Sequence, residues 1–349
     1  MATIFDVARA ARVSTSTVSH VINGTRFVSD DARARVQSAI ESLGYRPNAL
    51  ARSLRRGRSH TLGLILPDSA NPYFAEIGRE LETTAFEAGF SVVLCNSEND
   101  SEKERLYVNV LVRNQVDGVL LVAAGDRAEI VPSLGDEKLP VVMLDREAAR
   151  PGLDCIVADN VAGGRLATHH LVELGHRRIA CVSGPARVSS SAQRLAGYRK
   201  ALAEAGLRFD VRLVRPGDFR PESGWAAARN LLALPRPPTA IFACNDLMAM
   251  GVLRAAHELG RSVPGELAVI GYDDIELSRY TIPPLSTVAQ PKREMAREAL
   301  RLMKQRLGTG LPGPGPQRLR LPVSLTVRQT CGGTVPGPGK HGREVMRGG

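Results

Sequence analysis

Polar and aromatic side chains recur at the ends of the apolar runs between residues 61 and 290, and their types suit the recognition of a sugar. Carboxylate, guanidinium and amide groups can each bridge two neighbouring hydroxyls, and aromatic rings can cover the C–H faces of a sugar ring. We predict a ligand site formed by Asn71, Tyr73, Phe74, Asp145, Arg146, Arg194, Phe219, Asn245, Asp273 and Gln290.

Each of these residues also has an ordinary structural explanation. Asp145 and Arg146 also fit a surface ion pair, Asn245 or its neighbour fits a helix N-cap, and Tyr73 with Phe74 fits the core. Ligand binding is favoured because the polar groups recur at the carboxyl ends of predicted strands, where two-lobed α/β proteins bind ligands. An Asp-Arg pair holds a ligand better than it performs acid-base chemistry, so we expect no enzyme activity and no catalytic residue.

A second set of polar residues lies on one face of a short helix predicted over residues 13–23. Ser14 is suited to cap this helix, because a serine hydroxyl accepts a backbone N–H of the first turn. The polar face matches the donors and acceptors on base edges in the DNA major groove, and it carries Thr15, Ser16, Ser19 and His20. The alternative is a solvated polar face.

Two further helices flank this one. The apolar period of residues 4–11 predicts a helix that ends about three residues earlier, which is helix-turn-helix spacing. A third helix is predicted from Ser29 to Gly44. Ten Arg and four acidic residues within residues 1–60 give a net charge of +6, out of +10 for the chain. This concentration of positive charge on a small helical domain indicates a polyanion partner such as double-stranded DNA.

From Thr61 onward, apolar runs alternate with amphipathic helices, which predicts an α/β core of two doubly wound parallel-sheet lobes. The first series of predicted strands comprises residues 61–66, 91–94, 118–122 and 141–144. The second series starts at 155–157 and continues at 179–182, 211–214, 240–243, 267–270 and 287–289. The cleft between the lobes is the expected place for a small ligand.

Composition argues against a membrane protein and against a metalloprotein. No apolar run approaches the roughly 18 residues that a membrane span needs, and residues 1–20 lack the continuous apolar stretch of a signal peptide. We therefore expect a cytoplasmic protein without membrane contact. The five cysteines are scattered singly without partners at ligand spacing, so no metal site, disulfide or cofactor is predicted.

The N-terminal stretch also resembles the DNA-binding headpiece of the lactose-repressor (LacI/GalR) family of bacterial transcription regulators. The matching residues are Thr3-Ile4, Asp6-Val7-Ala8, Val13-Ser14, Thr17-Val18-Ser19, Leu43-Gly44-Tyr45, Pro47-Asn48 and Ala51-Arg52-Ser53-Leu54. One departure is Arg12 at the turn, where such headpieces often have Gly or Asn. Arginine costs more than glycine in a left-handed backbone conformation.

This resemblance implies a helix-turn-helix headpiece at residues 1–46 and a hinge helix or linker at residues 47–60. The resemblance also implies that the hinge helix orders on DNA and that Leu54 enters the minor groove. This agrees with its length, because nine or so residues are too few for a stable isolated helix. The implied DNA contacts are Thr3, Ser14, Thr15, Ser16, Thr17, Ser19, His20, Asn23, Arg26, Tyr45, Asn48, Ala51, Leu54 and Arg55.

The resemblance continues to about residue 330, where the counterpart is the periplasmic sugar-binding-protein fold. It implies a core at residues 61–331 in which the chain crosses between lobes near 158–162, 289–292 and 320. Lobe 1 then comprises about 61–159 and 291–320, and lobe 2 about 160–290 and 321–331. Residues 332–349 are rich in Gly and Pro without an apolar period, which predicts a disordered tail.

The function implied by the family is that of a homodimeric repressor that binds a pseudo-palindromic operator and is released by a small sugar. The predicted ligand-site residues resemble those of pentose binders, so a ribose-like effector is favoured. A purine-binding, corepressor-dependent regulator is the near alternative, because Gly217-Asp218-Phe219 and Pro221-Glu222-Ser223-Gly224 resemble purine-responsive members. Those members have Trp where this chain has Arg146. A sugar-binding protein is the non-regulator alternative.

Overall fold

The computed structural model describes residues 2–45, 58–124, 139–146, 152–308 and 315–332. The chain divides into two compact units, Met1–His60 and Thr61–Gly349. Most of the predicted hinge segment and tail lies outside the described residues. The same holds for four of the predicted DNA contacts, which are Asn48, Ala51, Leu54 and Arg55.

The described part of the N-terminal unit contains three helices, α1 (Ile4–Ala11), α2 (Thr15–Asn23) and α3 (Asp30–Ser42). Their shared core centres on Val7, Val18 and Val36, whose side chains are fully buried. Arg12, which lies in the turn between α1 and α2, adopts the left-handed conformation with φ 53° and ψ 47°. Its backbone N–H reaches the carbonyls of Ala8 and Arg9, so the turn forms despite the missing glycine.

Twelve strands lie in the part of the larger unit that the structure describes. They are β1 (Thr61–Leu66), β2 (Ser91–Asn96), β3 (Gly118–Leu121), β4 (Val141–Leu144), β5 (Asp154–Ala158), β6 (Ile179–Ser183), β7 (Val214–Pro216), β8 (Ala240–Ala243), β9 (Ala268–Asp273), β10 (Ser286–Ala289), β11 (Arg318–Leu321) and β12 (Ser324–Thr326). Two sheets form, with strand orders β11-β5-β4-β3-β1-β2 and β12-β10-β9-β8-β6-β7. All neighbouring strands are parallel except β10 and β12, which are antiparallel. The prediction of two parallel-sheet α/β lobes is confirmed.

Among the described residues, seven helices connect these strands. They are α4 (Pro72–Glu87), α5 (Ser101–Arg113), α6 (Asn160–Glu173), α7 (Ser189–Glu204), α8 (Pro221–Leu232), α9 (Asp246–Glu258) and α10 (Lys292–Gly308). Helices α4, α5 and α10 pack on the first sheet, and α6 to α9 pack on the second. No helix in the described part of the chain is long and apolar enough to cross a membrane.

One sheet assignment and one strand prediction are wrong. Residues 155–157 form a strand as predicted, but β5 pairs with β4 and β11 in the first sheet and does not start the second series, because hydrophobicity does not specify which sheet a buried strand joins. Residues 211–214 were predicted as a strand, but a 3₁₀ helix occupies Val211–Leu213 and β7 begins at Val214. The Asp210 carboxylate accepts the backbone N–H of Arg212 at 3.0 Å, which caps that turn.

Helices α6 and α7 approach each other closely through two glycines. A Cβ atom built on Gly164 would lie 2.1 Å from the carbonyl oxygen of Arg194, and one built on Gly197 would lie 2.2 Å from the carbonyl oxygen of Val161. The backbone of Arg194, a predicted ligand-site residue, is therefore set by direct contact with α6.

We predict that Gly164→Ala destabilises the protein by about 1 to 3 kcal/mol, because the added methyl group overpacks the α6–α7 contact. Urea unfolding measures this effect. Gly308→Ala is the matched control, since no described residue outside its own helix and chain neighbours lies within 4 Å of a Cβ at that position, and we expect a change within about 0.5 kcal/mol. Equal stability of the Gly164→Ala and unsubstituted proteins would contradict the close packing.

Ligand cavity and DNA-binding face

A cavity lies where the strands of the two sheets end, and the space between its lining residues, open solvent included, is about 290 Å³. Nine of the ten predicted ligand-site residues line this space together with Ser190; they are Asn71, Tyr73, Phe74, Asp145, Arg146, Arg194, Phe219, Asn245 and Asp273. The tenth, Gln290, is bonded to two of them. We call this space the ligand cavity.

Two of the lining residues also cap helices. The Asn71 side chain accepts the backbone N–H of Tyr73 at 3.0 Å, and the Asn245 side chain accepts the N–H of Met248 at 2.9 Å. The Asn245 amide also donates to the carbonyl of Phe219 at 2.9 Å. The structural explanation for Asn245 is therefore correct, and the same side chain still faces the cavity.

Three lining residues hold backbone conformations that favour glycine. Asp145 has φ 66°, Phe219 has φ 70° and Asp273 has φ 111°. Residues other than glycine seldom adopt a positive φ, and strained positions of this kind cluster at functional sites. All three lie at or just after the end of a strand, where the chain turns sharply toward the cavity.

On the side of the first sheet, Tyr73, Asp145 and Arg146 form a buried group. The Tyr73 hydroxyl lies 2.7 Å from Asp145 Oδ1. Burial, followed by the charge of Asp145, raises the pKa of Tyr73 well above its usual value, so the hydroxyl keeps its proton and donates. The Arg146 guanidinium lies 3.9 Å from Asp145 Oδ2 and donates to the carbonyl of Ala123. With 5% and 3% exposure, Asp145 and Arg146 are not a surface ion pair.

On the side of the second sheet, Arg194 is buried and held by four partners. Its Nε donates to the Asn160 side chain at 2.8 Å, and a terminal nitrogen donates to the carbonyl of Cys244 at 2.6 Å. The same nitrogen lies 3.4 Å from Asp273 Oδ1. The guanidinium also stacks over the ring of Tyr272, 3.7 Å from its centroid. The positive charge of Arg194 is consequently fixed toward the cavity.

Gln290 joins the two halves of the cavity wall. Its amide nitrogen donates to Asp273 Oδ1 at 2.8 Å, and its amide oxygen lies 3.2 Å from the Tyr73 hydroxyl. Burial raises the pKa of Asp273 to about 6, and the neighbouring charge of Arg194 opposes that rise. Asp273 is therefore mostly ionised at neutral pH, and its oxygens can accept a further hydrogen bond from a hydroxyl group.

Three residues in or behind the cavity wall were absent from the prediction. Ser190 lines the cavity soon after β6, so the rule that ligand groups follow strand ends could have found it. Asn160 and Tyr272 contact Arg194 rather than the cavity. No sequence signal links them to Arg194, because their contacts join distant parts of the chain.

The polar face of α2 is partly engaged in local hydrogen bonds. Ser14 Oγ accepts the N–H of Thr17 at 3.1 Å and lies 2.7 Å from Ser16 Oγ. His20 Nδ1 lies 2.8 Å from the hydroxyl of Thr25, while Ser16 is exposed. The structure thus places these hydroxyl and imidazole groups at the surface of one helix.

The remaining predicted DNA contacts in the described part of the headpiece have varied surroundings. Thr3 forms a capping box with Asp6 at the start of α1. Asn23 donates to the carbonyl of Ser19 at 2.7 Å. Arg26 is exposed, and Tyr45 packs against the headpiece core. Among the described residues of the whole chain, no group of three His, Cys, Asp or Glu is arranged to hold a metal ion.

Comparison with known proteins agrees with this architecture. Residues 3–48 match the model of bacterial regulatory proteins of the lacI family, and residues 168–331 match that of a periplasmic binding protein-like domain. The chain is 42% identical to the ribose operon repressor of Escherichia coli (strain K12) over 331 residues, which is 94% of this chain and 99% of that protein.

Two further similarities cover most of the chain. It is 40% identical over 308 residues to the HTH-type transcriptional repressor PurR of Photobacterium profundum, covering 88% of this chain and 92% of that protein. The crystal structure of the lac repressor dimer bound to operator and the anti-inducer ONPF matches with a TM-score of 0.84 at 32% identity, over 95% of this chain and 99% of that one.

These similarities and the geometry lead to one conclusion. The headpiece, the two-lobed core and the similarity over nearly the whole length are shared with transcriptional repressors. The chain belongs to the lacI family of bacterial regulatory proteins and is a ligand-responsive, DNA-binding repressor that acts on operator DNA as a dimer.

Proposed function

We propose that the effector of this repressor is a small sugar, with a ribose-like pentose favoured, and that its binding releases the operator. The observation that carries this proposal is the ligand cavity, in which two carboxylates and two guanidinium groups are buried at 3% to 5% exposure. Such groups pair well with vicinal hydroxyls. Similarity to a ribose operon repressor supports the same choice of effector.

The side chains of the cavity are suited to binding a ligand rather than to catalysing a reaction on it. Arg146 and Arg194 donate to backbone carbonyls, and Asp145 and Asp273 are engaged by Tyr73 and Gln290. Groups fixed in this way preorganise a binding site. We therefore propose that the protein binds its effector without catalysing a reaction on it.

A corepressor such as a purine is the second candidate. Phe74 and Phe219 both line the cavity, and aromatic faces stack on heterocycles. Against it, the four buried charged groups favour a diol over an aromatic base. A titration of operator binding with ligand separates the two models, since an inducer weakens operator binding and a corepressor strengthens it.

For the DNA complex, we propose that residues 1–46 read the operator and that residues 47–60 order on binding. Exposed Ser16 and its neighbours Thr15 and His20 on α2 contact base edges. Arginines of the basic N-terminal segment contact phosphates, which makes the affinity dependent on salt concentration. Leu54 is proposed as the minor-groove wedge.

We also propose where two copies of the chain meet. Leu106 and Val110, one turn apart on α5, are 57% and 47% exposed, and Val93 on β2 is 45% exposed. Val93 lies on the same side of β2 as Cys95, which packs with Leu111 of α5. Exposed apolar side chains grouped in this way mark a protein interaction site. We call these three residues the dimer face.

The sugar proposal predicts that Arg146→Ala lowers affinity for ribose at least tenfold, because one of the guanidinium groups facing the sugar is removed. The melting-temperature shift caused by ribose should be lost, while operator affinity without sugar stays within about threefold. Arg165→Ala is the control, since Arg165 forms a surface pair with Glu204. If ribose still releases operator DNA from the Arg146 variant, the cavity assignment is wrong.

The DNA proposal predicts that Ser16→Ala reduces operator affinity about tenfold and leaves affinity for unrelated DNA unchanged, because a base contact is lost and phosphate contacts remain. Fluorescence anisotropy with operator and scrambled duplexes measures both. Ser38→Ala replaces an exposed serine of α3 and should leave both affinities unchanged. An equal loss on both duplexes would show that Ser16 does not read sequence.

The dimer face predicts that Val110→Lys raises the dissociation constant of the dimer at least tenfold, because an ammonium group enters an apolar contact. Sedimentation velocity over a dilution series measures this constant. Val211→Lys is the matched control, since Val211 is an exposed valine of lobe 2 with 69% exposure. A dimer that withstands dilution equally in both variants would place the interface elsewhere.

A further inference from the structure

Glu104 is a buried carboxylate that does not line the ligand cavity. It lies on α5 with 1% exposure, and its Oε2 accepts the backbone N–H of Ala124 at 2.6 Å. Burying a carboxylate costs free energy because the group loses its hydration, so a buried Glu104 is expected to have a function. That function involves the residue bonded to the other side of the peptide group that Glu104 contacts.

The N–H of Ala124 and the carbonyl of Ala123 belong to one peptide group. That carbonyl accepts a hydrogen bond from the guanidinium of Arg146, which lines the ligand cavity. Since a peptide group is planar, its orientation is set jointly by the partners at its two ends. Glu104 therefore acts on Arg146 through a single rigid unit.

The charges at the two ends suit the dipole of this peptide group. The carboxylate of Glu104 faces the positive N–H end, and the guanidinium of Arg146 faces the negative carbonyl end. Hydrogen bonds in such a chain polarise and strengthen one another. Losing the negative charge at Glu104 therefore weakens the hydrogen bond between Arg146 and the Ala123 carbonyl, and it also removes the direct attraction between the two charges.

We propose that Glu104 is a positioning residue for the effector, orienting Arg146 in the ligand cavity through the peptide group between Ala123 and Ala124. This inference rests on the proposed function, because it takes Arg146 to be a sugar contact. It adds a residue of α5, outside the cavity, to the machinery that sets effector affinity.

We expect the effect of Glu104 on Arg146 to depend on pH. Burial raises the pKa of Glu104 to about 7, while the Ala124 N–H and the charge of Arg146 oppose that rise. Most Glu104 side chains are therefore protonated at pH 6 and ionised at pH 8, and the hydrogen-bonded chain that positions Arg146 strengthens as pH rises. Affinity for sugar should increase over this range. Asp273, whose burial raises its pKa to about 6, also titrates near the cavity.

The test is calorimetric titration of the full chain with D-ribose at pH 6, 7 and 8. We expect Glu104→Ala to weaken binding about tenfold at pH 8. Glu104→Gln keeps an acceptor for Ala124 without the charge, so it should bind within about threefold at pH 8 and lose the rise in affinity between pH 7 and 8. Asp273 is unchanged in both variants, so the difference from the unsubstituted protein isolates Glu104.

Glu102→Ala is the matched control, because Glu102 lies on the same helix with an exposed side chain paired to Arg105. It should retain both the affinity and the pH profile of the unsubstituted protein. Unchanged ribose affinity in Glu104→Ala, or an unchanged rise above pH 7 in Glu104→Gln, would overturn the positioning role.

A second measurement separates this inference from the choice of sugar. If ribose does not bind the unsubstituted protein, the proposed effector is wrong, and amide hydrogen exchange of Ala124 then tests Glu104 without any ligand. Exchange should be at least tenfold faster in Glu104→Ala and close to unsubstituted in Glu104→Gln and Glu102→Ala. Equal protection in all four proteins would show that Glu104 does not hold this peptide.

Discussion

Burial of charge at the ligand cavity is the constraint on which the rest of the core depends. Asp145, Arg146, Arg194 and Asp273 are nearly inaccessible to water, and each unpaired ion would cost several kcal/mol there. Two acids balance two bases, and each guanidinium group also donates to a backbone carbonyl. The pKa of Asp273, raised by burial to about 6, shows that pairing does not offset desolvation completely.

The surrounding fold supplies the rigidity that this balance needs. The glycines of α6 and α7 bring the backbone of Arg194 against α6, and Lys292 donates to the carbonyls of Asp273 and Asp274 while pairing with Glu76 at 2.8 Å. Contacts from both sheets therefore meet at one cavity. An effector that binds two arrangements of the lobes unequally can shift their populations, which is the physical requirement for a ligand-controlled repressor.

The clustering of the predicted residues could be foreseen because parallel strands share a direction. Their carboxyl ends lie along one edge of each sheet, so polar residues that follow Val141–Leu144 or Ala240–Ala243 meet in space although they are far apart in the chain. The same rule does not predict Asn160 or Tyr272, which contact Arg194 without lining the cavity. It also does not specify that β5 joins the first sheet, since any buried strand has a similar apolar pattern.

By itself, the sequence determined the local elements and the type of partner. Apolar periodicity and the Ser14 cap set the headpiece helices, the arginine excess indicated DNA, and strand-end residues indicated a polar ligand. Only the tertiary structure decided which charges pair and which become buried, because those energies depend on distances between residues remote in the chain. Asp145 and Arg146 fit a surface pair in the sequence, and packing of the lobes placed them inside. Glu104 acquired a partner beyond its own helix in the same way.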